Sequence, residues 1–227
     1  MNDIHSDPLP GVARGAFVPG VALSGLLVLA YLLTGGAMGG WGTSQAAIAQ
    51  GRWWTVLTSI FAHAGFLHLL FNSLVLFFIS GPVVARMGAA PGSWLRFVAL
   101  FLACGLGGSL IYILLNVFES VPAVGASGAI FGLLGLMARL PRSSALAPAA
   151  YWQPIKPITP ELLGRTGFLL AVLSLPGIFY PGFMQLAWEA HLGGFLVGFL
   201  GGPLFLPRPR RAHVPGADGI DTDRPSP

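Results

Sequence analysis

Six apolar stretches, almost free of charge, constrain this chain more than any other feature of it. They run from Val21 to about Met38, Leu67 to Val84, Trp94 to Phe118, Ala126 to Leu140, Leu162 to Tyr180 and Trp188 to Leu206. A helix crosses a bilayer in about 20 residues at about 1.5 Å each, so most of these stretches are long enough to span. The 227 residues are 54% hydrophobic and 9% charged, against about 25% charged in soluble domains. The expected fold is an all-α membrane protein, a compact bundle of six transmembrane helices. A net charge of +4 does not point to nucleic acid, because the basic residues are scattered between apolar blocks and form no stripe. Cys104 is the single cysteine, which excludes an intrachain disulfide and a cysteine cluster for zinc or iron–sulfur.

The segments between the spans divide the chain. Residues 1–19 mix Asp3, Asp7, Pro8, Pro10, Gly11 and Arg14 without periodicity and read as a flexible leader. A cleaved signal peptide would have a basic start and an apolar core of about 7 to 15 residues, so Val21 to Met38 reads as a retained first span. The stretch from Gly39 to Phe66 is too broken to span. It holds Trp41, Trp53, Trp54, Phe61 and Phe66, an aromatic density suited to the membrane interface, and is read as a first outer loop. Residues 207–227 are polar and of low complexity and read as a disordered tail, leaving residues 20–206 as the membrane domain. Cytoplasmic loops collect Lys and Arg, and with six spans every one of the 12 except Arg52 falls on the side shared by both termini. Both termini are therefore expected in the cytoplasm. The Arg208 to Arg211 cluster is read as enforcing that topology, contact with anionic membrane lipid being its other use.

One stretch carries chemistry: Val124-Gly125-Ala126-Ser127-Gly128-Ala129-Ile130-Phe131-Gly132. A loop here runs into the fourth span and leaves the Ser127 hydroxyl at the junction. A serine between glycines fits a nucleophile, and it also fits the commoner role of small-residue packing between membrane helices. The span it opens has 15 residues, about 22 Å of helix against a hydrocarbon core of about 30 Å. Irregular backbone at that depth is tolerated where it lines a watery cavity or is buried in protein. Ser127 is thus expected below the membrane surface, with access to the water that hydrolysis needs.

The sixth span enters from the same side and carries His191. His191, Gly194 and Gly198 are spaced i, i+3, i+7, and Gly128, Gly132 and Gly135 form a similar stripe on the fourth span. Facing glycines let two backbones close up, which would bring the imidazole within hydrogen-bond reach of Ser127. An ionisable side chain inside a span is costly and is a functional candidate by default. On the second span His68 and Asn72 lie four residues apart on one face. They are candidate donors to an oxyanion, with the Ser127 amide as a third; the alternative makes Asn72 interhelical glue and His68 an interfacial polar residue. No acid in the spans orients His191: Glu189 is two residues away on another side of the helix, and Glu119 lies in the loop before Ser127. A Ser/His dyad is expected rather than a triad. The absence of a His-Glu-x-x-His motif and of aspartates in the spans argues against a metalloprotease and an aspartyl protease, so no metal site is expected.

These residues resemble the rhomboid intramembrane serine proteases over nearly all of residues 20–206. The resemblance rests on His63-Ala64-Gly65-Phe66-Leu67-His68-Leu69-Leu70-Phe71-Asn72 at the start of the second span, Gly125-Ala126-Ser127-Gly128 at the fourth, and Ala190-His191-Leu192-Gly193-Gly194 with Gly198 in the sixth. It implies a bacterial-type six-helix core in the plasma membrane, with the active site opening to the outer side. It also implies Ser127 as nucleophile, His191 as general base and then acid, and Asn72, His68 and the Ser127 amide as the oxyanion site. The implied partners are transmembrane protein substrates, cleaved in or near their membrane helix, and no cofactor is required. Two positions depart from the pattern. Trp54 is followed by Thr55 where many members have a Trp-Arg pair, and Phe131 keeps the ring but not the hydroxyl of a frequent tyrosine. His63 matches a recurrent family histidine and reads as shaping the loop, Trp53 and Trp54 read as membrane anchors, and His5 and His213 are assigned nothing. The rival reading is a catalytically silent rhomboid-like protein that binds transmembrane clients as chaperone or scaffold. A channel or transporter ranks last, since the chain shows no internal repeat and no second set of intramembrane polar residues. The sequence does not say which helix or loop admits substrate; the fifth span, with Pro176, Gly177 and Pro181 near its outer end, is a candidate gate.

Overall fold

Residues 15–36, 40–88, 90–117, 121–140, 155–179 and 187–207 are described in the computed structural model, as backbone alone over 172–179. Helices α1 (Val18–Leu33), α2 (Gln45–Ala49), α3 (Thr55–Thr58), α4 (Phe66–Arg86), α5 (Gly92–Leu115), α6 (Ser127–Arg139), α7 (Pro160–Phe179) and α8 (Trp188–Leu196) follow in chain order. Among the described residues the fold is helical apart from turns, loops and one isolated bridge between Thr43 and Ala123. The six expected spans correspond to α1, α4, α5, α6, α7 and α8. The last continues through a π turn, Val197–Gly201, and a 3-10 turn, Gly202–Phe205, a change of geometry that a period of 3.6 in the sequence does not reveal.

Local chemistry sets the ends. Pro19 stands in the first turn of α1, where its missing N–H costs nothing. The Ser44 hydroxyl accepts the Ala47 N–H at 3.1 Å and caps α2, one of two short helices in the connection between α1 and α4. Pro82 removes a donor near the end of α4, and the Arg96 guanidinium closes that end by donating to Met87 O at 2.6 Å. Helices α4 and α5, at 21 and 24 residues, have the length and apolarity to cross a membrane; α1 and α6 are apolar but shorter, at 16 and 13 residues.

Helix α6 sits in the centre, packed against α4, α5 and α8. Leu133 and Leu136 of α6 meet Leu76, Phe97, Leu100 and Phe101 in the main core, all fully buried. Leu29, Leu33, Phe78, Leu95, Leu114 and Phe168 point outward and are exposed, as suits surfaces facing lipid tails no less apolar than leucine. Helix α7 packs chiefly on α8 and the end of α6. The C-terminal end of α7, with Pro176 and Gly177, has no described side chains, and Pro181 lies outside the described residues, as do most of residues 1–19 and nearly all of 207–227.

Candidate active site

Helix α6 opens at Ser127 with Ala126 as its N-cap, so its first backbone N–H groups have no partner within the helix. The loop that delivers Ser127 is fastened from several directions. Thr43 and Ala123 exchange backbone hydrogen bonds at 3.0 and 2.8 Å, and the Gly125 N–H donates to Ser59 O at 2.8 Å. The Tyr112 hydroxyl donates to Val121 O at 2.8 Å. Gly125 has φ +114, a conformation that glycine adopts readily and other residues resist. A methyl there would also lie 2.7 Å from Cε1 and Nε2 of His68 and 3.3 Å from Nδ2 of Asn72. The absence of that methyl lets the loop lie directly on the two side chains.

The structure brings Ser127 and His191 together: His191 Nε2 and Ser127 Oγ are 2.9 Å apart, within hydrogen-bond range. Backbone approach and a ring set this distance. A methyl on Gly194 would overlap the carbonyl oxygen of Gly128, and one on Gly198 that of Gly132, while one on Gly128 would lie 3.0 Å from Ala190 O. Helices α6 and α8 are thus in backbone contact. Phe131, one turn after Ser127, stacks on the imidazole with ring centroids 4.1 Å apart and planes 6° from parallel. His191 Nδ1 is buried without a hydrogen-bond partner among the described residues, and Glu119 lies outside them. When Nε2 accepts the Ser127 proton, Nδ1 carries the ring's own proton.

His68 Nε2 and Asn72 Nδ2 are likewise buried and without partners among the described residues. Leaving such groups unmade is expensive, and both lie against Gly125, two residues before Ser127. With its proton on Nε2, His68 and the Asn72 amide form a pair of donors available to an oxygen arriving at Ser127. His63, outside the spans, supports this wall. Its Nδ1 donates to Phe61 O at 3.2 Å, and its ring meets that of His68 edge-on at 5.1 Å. Burial foremost, and the neighbouring His68 second, lower the His63 pKa to about 4, so its ring is neutral at pH 7.

Beside Ser127 lies a cavity of about 20 Å³, lined among others by Ser59, Ser109, Gly125 and Ala190. It has room for roughly one water. Ser59 and Ser109 share a hydrogen bond across it at 3.2 Å. Neither serine is among the candidates the sequence offers. Ser109 carries a weak signal, since it follows Gly107-Gly108 in an apolar helix and small residues mark a close-packed face; Ser59 carries none. At the first departure from the family pattern, Thr55 is fully buried and its hydroxyl donates to Arg52 O at 2.7 Å. Trp53 and Trp54 are exposed. Among the described residues no group of three or more His, Cys, Asp or Glu could hold a metal ion.

The Rhomboid domain family matches residues 50–208. The chain is 35% identical over 167 residues to RHOMBOID-like protein 5 of Arabidopsis thaliana, covering 74% of this chain and 48% of that protein. It is 44% identical over 93 residues to Rhomboid protease GluP of Bacillus subtilis (strain 168), covering 41% of this chain and 17% of that protein. It is 37% identical over 160 residues to RHOMBOID-like protein 1 of Arabidopsis thaliana, covering 70% of this chain and 36% of that protein. The chain spans about half or less of the length of these relatives.

Proposed function

The chain belongs to the rhomboid family of membrane proteins, and from that premise we propose that it is an intramembrane serine endopeptidase cleaving other membrane proteins in or near a membrane-spanning helix. The observation that carries this reading is the 2.9 Å contact between Ser127 Oγ and His191 Nε2. In the proposed reaction Ser127 Oγ attacks the scissile carbonyl as His191 Nε2 takes its proton. The oxygen that becomes negative is met by the Ser127 N–H, Asn72 Nδ2 and His68 Nε2. His191 then passes the proton to the leaving amine. Water hydrolyses the acyl-enzyme, with His191 as base again, and the small cavity beside Ser127 offers that water a place. No metal or organic cofactor takes part. A helical peptide bond is shielded by its neighbours, so substrates must unwind, which favours small or helix-breaking residues near the cleavage site.

In the same reading the membrane domain is residues 20–206, with both its ends on the cytoplasmic side of a bacterial plasma membrane and Ser127 opening outward. The distribution of Lys and Arg supports this orientation. Helix α7, which carries Pro176 and Gly177 near one end, is the proposed gate for transmembrane substrates.

The test is cleavage of a single-span substrate in liposomes by wild type, Ser127→Ala and His191→Ala. Product from wild type alone supports the dyad. Absence of product from all three, together with failure of a serine-reactive phosphonate to label Ser127, would replace this reading with a silent binding protein on the same scaffold.

A further inference from the structure

Helix α8 and its π turn run parallel to α6. Gly128 meets Gly194, Gly132 meets Gly198 and Leu136 meets Gly202, so the contacts advance together along both chains. Side-chain ridges seated in grooves are what key one helix to another along its axis, and faces of glycine carry no ridges. The glycines set how close the two backbones come but resist sliding only weakly. Directional bonds must fix the register. Among the described residues two cross this seam, one near each end: Ser127 Oγ with His191 Nε2 at 2.9 Å, and Arg139 Nη1 donating to Phe199 O at 3.0 Å.

The first of these breaks in every turnover of the proposed reaction, when His191 passes its proton to the leaving amine. The second takes no part in the chemistry. We infer that Arg139 is a positioning residue, whose bond to Phe199 O keeps α8 in register on α6 and so holds His191 level with Ser127. The kinetic consequence rests on the function proposed above; the register does not.

The reach fits. Phe199 lies eight positions after His191 and Arg139 twelve after Ser127, about 12 and 18 Å along the two helices. Arg139 therefore bridges back by about 6 Å toward the start of its helix, the direction in which helical side chains lean. The accepting carbonyl sits where the helix changes type, in the π turn Val197–Gly201 just before the 3-10 turn Gly202–Phe205. A change of repeat interrupts the backbone ladder, and a guanidinium supplies a charge-assisted donor there.

The donor is also held from its other side. Arg139 Nε donates to Lys156 O and the Lys156 N–H to Arg139 O, both at 2.9 Å, and Lys156 Nζ donates to Ala138 O at 3.5 Å. The guanidinium carbon lies 5.2 Å from the centroid of the buried Phe199 ring. The arginine is thus ordered by contacts on two sides, and its bond to α8 carries little extra cost in side-chain entropy.

Leu136 and Gly202 give the register a direct readout. A Cβ at Gly202 would lie 3.0 Å from that of Leu136, near the spacing of about 3.8 Å in a disulfide. In the purified full chain carrying Cys104→Ala, the Leu136→Cys/Gly202→Cys pair should cross-link readily in micelles, and adding Arg139→Gln should slow cross-linking about tenfold. A misplacement of about 1 Å costs about 100-fold in rate, so a slip of about half that costs about tenfold. Arg139→Gln should accordingly lower kcat about tenfold for a single-span substrate in liposomes, with KM unchanged and phosphonate labelling of Ser127 slowed in parallel. Measured well below the unfolding transition, a purely structural role would leave kcat intact. Oxidising the cysteine pair in the Arg139→Gln background should restore kcat, and reduction should remove the rescue. Arg139→Lys keeps the charge without the planar fork and should slow both readouts to an intermediate degree, which keeps the test open if Arg139→Gln fails to fold. Cross-linking at the same rate with and without the arginine overturns the proposal. So does slowed cross-linking with kcat and labelling unchanged. Absence of cleavage and labelling in wild type would instead reject the protease reading, while the cross-linking rates still decide whether Arg139 holds the register.

Discussion

Replacing Gly194 with alanine tests whether the spacing of two backbones sets the chemistry. The added methyl would overlap the carbonyl oxygen of Gly128 and lie 3.2 Å from that of Cys104. Both are backbone atoms inside helices, so no rotamer change makes room, and restoring van der Waals contact requires α8 to move off α6 by roughly 1 Å. Overpacking of this kind costs about 1–3 kcal/mol. The same movement carries His191 Nε2 away from Ser127 Oγ, from 2.9 Å to a separation too long for a useful hydrogen bond. A misplacement of about 1 Å costs about 100-fold in rate, so kcat/KM for a single-span substrate in liposomes should fall about 100-fold, with phosphonate labelling of Ser127 slowed in parallel. Gly25→Ala in α1 is the matched control, since a methyl there meets nothing within 4 Å. The same chemical change at that position should leave activity intact and raise stability by about 0.5–1 kcal/mol. A folded Gly194→Ala protein within about fivefold of wild type would refute the reasoning, as would an equal loss of activity in Gly25→Ala.

Asn72→Ala should lower kcat by about 100- to 1,000-fold with little change in KM, the pattern of a donor used mainly in the transition state; steady-state kinetics on the same substrate reads both. His63 makes stability depend on pH. Its ring is held neutral in the fold with a pKa of about 4 against an ordinary 6.5, so the unfolded chain binds the proton first as pH falls. Stability fully present above about 6.5 should be lost progressively down to about 4, by on the order of 3 kcal/mol. Thermal unfolding in detergent between pH 7 and pH 4 should show this slope in wild type and a flatter one in His63→Gln. Arg139→Gln removes charge-assisted bonds to Lys156 O and Phe199 O and should destabilise by about 2 kcal/mol in the same assay. Arg139→Lys should fail to rescue it, since a lysine lacks the planar fork.

The helical class and the approximate positions of the six main helices were legible in the sequence, because both follow from local facts. An apolar run that cannot leave its backbone unpaired in lipid must coil, and its length is counted directly. The shortness of α6 was legible for the same reason. Candidate residues could be named because Ser127, His191, His68 and Asn72 are polar groups in apolar surroundings, where each demands a reason. The short helices of the first loop were not legible, being only a few residues long and held by caps and tertiary contacts, and neither was the π turn after α8.

What only the tertiary structure decided concerns residues far apart in the chain. Ser127 and His191 are separated by 64 positions, and their 2.9 Å contact depends on how closely α6 can lie on α8, which is a property of two surfaces at once. His68 and Asn72 of α4, whose Nε2 and Nδ2 have no partner among the described residues, lie against Gly125 because that glycine's backbone and missing side chain admit them. Ser59 and Ser109, unremarkable in sequence, become neighbours of Ser127 only when α3 and α5 pack. Local sequence sets the period and polarity of each helix, whereas a site forms from distances between helices, and those distances come from packing summed over the whole bundle.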